Sequence, residues 1–87
     1  MKLKKMDWDE KVWVAFKRAS AYIPPTVRME AVLRIIEESE KEAKIRGSNL
    51  VEEKDLVIAT KRKVPKAYKQ ISLDILKEQG ISVNEHT

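Results

Sequence analysis

The chain has 87 residues, 43% hydrophobic and 37% charged, with a net charge of +4 and no cysteine. That length makes one domain near the lower limit for a self-sufficient core, and only two glycines argue against a many-turned β fold. No cysteine means no disulfide, thiolate zinc site or iron–sulfur cluster held by this chain alone; no apolar run reaches the ~18–20 residues that span a bilayer.

Residues 1–6 read as a flexible, basic leader. Lys2, Lys4 and Lys5 are not followed by the apolar segment of a signal peptide, so the expected address is cytoplasmic, with no membrane contact. Asp7-Trp8-Asp9-Glu10 predicts a helix start, with Asp7 as cap and Glu10 in capping-box spacing. Trp8, Val12, Ala15, Phe16, Ala19 and Ile23 mark one apolar face of this first helix, and Trp13 and Val14 fall beside it.

The paired Pro24 and Pro25 fix the approach to a second, longer helix, with Pro25 in the first turn where a missing N–H costs nothing. Met29, Val32, Leu33, Ile36 and Ala43 recur at helical spacing, widened on one side by Val27, Ala31 and Ile35. Glu37 with Lys41 and Glu40 with Lys44 are spaced as favourable pairs. Gly47 after Arg46 supplies the C-terminal stop, giving a rod of about 30 Å.

A short turn with an extended Val51 leads to a third helix over about 53–63, acidic at its entrance and basic at its exit, as the helix dipole prefers. Leu56, Val57, Ala59, Thr60 and Val64 form its inner side. Pro65 stops it, and residues 64–80 hold a fourth helix with Ala67, Tyr68, Ile71 and Ile75 in register. Gly80 ends that helix, Ile81 folding back on Leu76. Residues 82–87, including the lone His86, read as a flexible tail. The fold class is therefore an all-α, four-helix small domain over residues 1–87, with a long second helix and a histone-like helix–turn–helix unit around Gly47.

No catalytic constellation is present. Arg28 lies in the first turn of the long helix, where a cation opposes the dipole. It either faces a groove as a partner or anion contact, or bridges to an acid such as Glu10 or Glu30. Trp13 is the candidate for an exposed partner contact. Glu40, close to the apolar stripe, needs Lys44, another cation or solvent access. Between Lys61 and Lys69 stand five bases and no acid, so Lys61, Arg62, Lys63, Lys66 and Lys69 are candidate anion or DNA contacts. Tyr68 among them reads as packing rather than a stacking platform.

Trp8, Ala15, Ile23-Pro24, Val27-Arg28, Ala31, Ile36-Glu37, Ala43, Gly47, Val51 and Asp55-Leu56…Ala59 together resemble a known small domain. It is the C-terminal helical domain of the B subunit of light-independent protochlorophyllide reductase, which also occurs as a stand-alone protein. The likeness covers about residues 7–62. It departs at Pro25 and in the added fourth helix. The resemblance implies a non-catalytic accessory domain, because that family's cysteine-bound clusters and ATP-driven reductase have no counterpart in a chain without cysteine or a phosphate loop. Its implied partner is a larger protein, such as a redox or nitrogenase-like reductase. The long helix, glycine turn, extended Val51 and Asp-Leu-x-x-Ala helix also resemble the histone fold. That second likeness implies a homodimer gripping duplex DNA through phosphates.

Overall fold

The computed structural model describes residues 3–83, so Met1, Lys2 and most of the expected tail, with His86, lie outside the described residues. The elements are β1 (Asp7–Trp8), α1 (Glu10–Ser20), α2 (Pro25–Ile45), β2 (Leu50–Val51), α3 (Glu53–Lys63) and α4 (Lys66–Glu78). The four helices and their order agree with the sequence reading. The strands add a feature to it: β1 and β2 pair in parallel, Asp7 opposite Leu50 and Trp8 opposite Val51, and Asp9 N donates to Val51 O at 3.0 Å.

This pairing moves the start of α1. Trp8 is drawn into the ladder, so Asp7 is no cap. Asp9 takes that role, its Oδ1 accepting from Val12 N, which satisfies one of the orphan donors of the first turn. The apolar face of α1 is as expected: Val12, Ala15, Phe16 and Ala19 are buried, with Trp8 and Ile23 at either end.

α2 is 21 residues long, about 32 Å at 1.5 Å per residue, and so runs the full 32 Å of the longest axis. Pro25 is its first residue and Pro24 its cap, in an extended conformation. Both glycine stops occur. Gly47 and Gly80 have φ of 81° and 86°, and the bonds Ser48 N to Ala43 O and Ile81 N to Leu76 O close the loops that satisfy the last helical carbonyls.

The buried face of α2 differs in phase from the expected stripe. Ala31, Ile35, Ile36, Ser39 and Ala43 are buried, along with Glu38 and Glu40, whereas Met29 and Leu33 point outward. α2 packs chiefly on α3, and small side chains at 31, 39 and 43 allow that close approach. α4 packs on α1 and α3. Its buried residues are Ser72, Ile75 and Leu76, while Ile71 is exposed.

Residues 3–6 and 82–83 are held more closely than expected of flexible segments. Leu3 and Met6 pack against the core. At the other end Val83 is buried, Ser82 N donates to Glu53 Oε1, and Lys61 Nζ donates to Val83 O.

Candidate functional site

Three buried or half-buried acids account for the polar organisation of the molecule, and each has a structural partner. Glu40, 6% exposed, accepts at Oε2 from Lys5 N (2.9 Å), Met6 N (3.1 Å) and the Trp8 indole N–H (3.0 Å). Among the described residues the partner is neither Lys44 nor any other cation. A carboxylate takes several N–H donors at once, so Glu40 ties the leader and β1 to the middle of α2.

Asp55, 2% exposed, receives Arg46 Nη2 at 2.6 Å and the backbone N–H of Glu52 at 2.9 Å. Arg46 also reaches Glu52 and the Leu50 carbonyl. The hydrogen bond to Asp55 is the main cause holding the Arg46 guanidinium more firmly protonated than usual. One side chain thus locks the turn between α2 and α3, across β2.

Glu38 is bonded by Arg62 Nη1 at 2.8 Å, and the same nitrogen lies 2.8 Å from Glu42 Oε2. This hydrogen bond from Arg62 holds the Glu38 carboxyl below its ordinary value despite the opposing effect of burial.

These pairings bear on the basic segment. Arg62 is turned onto the acids of α2 through Nη1, with about half of its side chain still exposed, and Lys61 is engaged at Val83 O. Lys63, Lys66 and Lys69 form no hydrogen bond or ion pair among the described residues. Lys63 borders a shallow depression of about 120 Å³ beside Val27, Glu30, Arg34 and Pro65.

Arg28 takes neither of its two expected roles. Nε donates to Ile23 O at 2.9 Å and Nη2 to Ala21 O at 3.1 Å. The cation that opposes the dipole of α2 therefore sits on the carbonyl end of α1, where a cation is favoured, and it fixes the angle between the two helices. Trp13 is partly buried. Its ring meets Trp8 edge-on at 5.0 Å and Phe16 at 5.5 Å, and Lys4 Nζ lies 4.4 Å from its centre, a cation–π contact. Only its remaining edge is open to a partner.

Met29 and Leu33, which the sequence reading placed on the apolar stripe, lie on the outer face of α2 instead, and Ile45 is exposed as well. Met29 is 61% exposed, Leu33 45% and Ile45, at the helix end, 69%. Beside them a groove of about 530 Å³ runs between α2 and the leader, with Leu3 and Ile36 among its lining. Lys5, Lys41 and Lys44 stand along it. Neither pair predicted within α2 forms: Glu40 is bound by the leader and Lys41 makes no ion pair within 4 Å, whereas Glu30 pairs with Arg34. The signal for this surface was present in the sequence as the Met29–Leu33 spacing, which fits a docking face as well as a core. Comparison with known protein families, curated proteins and solved structures finds no match for the chain.

Proposed function

We propose that this chain is a non-catalytic protein-interaction domain, of the accessory kind seen at the C-terminus of the protochlorophyllide reductase B subunit, and that it docks a larger protein on the outer face of α2. The observation that carries the reading is the exposure of Met29, Leu33 and Ile45 on the longest helix. Exposed apolar side chains on a rigid rod, here Met29 and Leu33 one turn apart and Ile45 beyond the charged Glu37, Lys41 and Lys44, suit a partner-binding face. The three acids that could otherwise suggest proton chemistry support this reading, because Glu38, Glu40 and Asp55 are each held by groups that build the fold. A reductase of the nitrogenase-like kind is the proposed partner, and the cytoplasm the proposed compartment; no helix among the described residues is long and apolar enough to cross a membrane.

The second reading, a histone-like dimer on duplex DNA, draws on Lys63, Lys66 and Lys69 and is weakened by the engagement of Arg62 and Lys61. A photo-activatable amino acid at position 33 tests the first reading, with the same group at Ile71 on α4 as control. In source cells, a discrete adduct to another protein from position 33 and none from 71 is the expected result. Equal labelling from both, or adducts to nucleic acid, contradicts it.

A further inference from the structure

The groove along the second half of α2 carries a charge pattern as well as an apolar floor, and together they define an occupant. Leu33, Ile36 and Ile45 supply the floor from α2, and Leu3 supplies the opposing wall. From Leu33 to Ile45 is twelve residues, about 18 Å of helix, which matches three turns of a second helix laid alongside. The wall is not a loose strand, because Glu40 pins Lys5 and Met6 through their backbone N–H groups.

The lysines of this groove outnumber its acids by three to two, and the charge of Lys41 also reaches Glu38. Lys5, Lys41 and Lys44 make no side-chain hydrogen bond or ion pair among the described residues. Of the two acids lining the groove, Glu37 is exposed and Glu40, whose Oε2 accepts from three neutral N–H donors, keeps its negative charge, so the lining carries a surplus of one positive charge. Every exposed cation held apart from a partner in so small a space repels its neighbours, and an anion laid across them relieves that repulsion.

We infer that the groove between the leader and α2 binds a short amphipathic helix whose apolar anchors are flanked by Asp or Glu. This rests on the reading of α2 as a docking face and adds the chemistry of what docks there. Two or three anchors at i, i+3 or i+4, and i+7 would enter between Leu3, Leu33 and Ile45, the usual helix-in-groove arrangement. Acidic residues beside those anchors would meet Lys41 and Lys44 of α2 and Lys5 of the leader. A second copy of this chain is disfavoured as occupant, since the chain is itself basic at +4 and would set its surplus charge against these lysines.

The test uses the full chain and two blocked peptides of about fifteen residues, long enough for three turns. Both carry leucine at the same helical spacing, and differ only in flanking the leucines with glutamate or with lysine. Amide chemical shifts are followed during titration. The glutamate peptide is expected to bind at least tenfold more tightly than the lysine peptide, to lose affinity as salt rises, and to shift the amides of Leu33, Lys41, Lys44 and Ile45. Leu33→Asp should abolish that binding, and Lys44→Glu should narrow or reverse the preference; both positions are solvent-exposed, so folding is checked simply by circular dichroism. Equal affinity for the two peptides, no binding of either, or shifts centred on Lys63–Lys69 overturns the proposal. So does concentration-dependent self-association through the same amides that the glutamate peptide fails to reverse. The cross-link from position 33 does not depend on acidity. A partner captured there alongside indifferent peptides removes only the acidic-helix claim, whereas no adduct removes the docking face itself.

Discussion

Glu40→Ala isolates the contact that ties the leader to the bundle. The substitution leaves three N–H groups without their acceptor, the Trp8 indole in the interior and the Lys5 and Met6 amides partly covered. A hydrogen bond to a charged group contributes about 1.5–3 kcal/mol when buried, and less where water can replace the acceptor. Taking about 1.5–2 kcal/mol for the indole and about 0.5–1 for each amide gives a loss of about 3 kcal/mol. A domain of this size is stable by roughly 4–13 kcal/mol, so the effect is large, equivalent to a fall in Tm of about 12–24 °C. Glu40→Gln, which keeps an oxygen but adds an N–H₂ needing acceptors of its own, should fall between. Urea denaturation measures the loss. Amide exchange adds a local readout, in which Met6 and the β1–β2 bonds lose protection before Leu56 does. A Glu40→Ala variant within about 0.5 kcal/mol of the parent, the range of an ordinary surface change, would refute the reasoning.

Arg46→Ala should cost about 2 kcal/mol in the same assay, below the roughly 3–5 of a fully buried pair, because Asp55 keeps its bond from Glu52 N and Arg46 is partly solvated. Ser39→Ala should act in the opposite direction. The Ser39 hydroxyl is fully buried without a partner among the described residues, so removing it should stabilise the chain by about 0.5–1 kcal/mol. The depressed carboxyl of Glu38 sets a pH dependence. Its folded value lies below the ordinary value of 4.5, so its stabilisation is complete above that pH and is lost as pH falls through the lower folded value. Glu38→Gln should therefore be less stable than the parent at neutral pH and converge with it in strong acid, as followed by thermal melts across that range.

The helices and their ends were legible because their signals are local. Proline at the start of α2 and glycine with positive φ at the ends of α2 and α4 each act within one turn. What could not be read depended on partners far away in the chain. Asp7, with Glu10 three residues on, has the capping-box spacing that Asp9 lacks, and the pairing of Trp8 with Val51 passes the role to Asp9 all the same. Glu40 showed as an acid on an apolar stripe, but its partners are two backbone amides and an indole, and backbone donors carry no residue signature. The phase of α2 was ambiguous for a related reason. Met29–Leu33 and Ala31–Ile35 are both helically spaced, and the smaller side chains face inward because they let α3 approach, a preference that apolarity does not encode. The candidate site followed in part from that ambiguity, since periodicity assigns Met29 and Leu33 to the interior. Arg28 stood out as a cation against the helix dipole and Arg62 as one of five neighbouring bases, and their partners are the carbonyls at the end of α1 and the acids of α2.

The central claim is that the outer face of α2 is covered by another protein in the cell. Met29, 61% exposed, reports on it directly, since oxidation of a methionine follows its exposure. Brief hydroxyl-radical footprinting should modify Met29 readily in the purified chain and much less in intact source cells, with Tyr22 and other exposed residues away from the face unchanged between the two. Equal oxidation of Met29 in both settings would contradict the account.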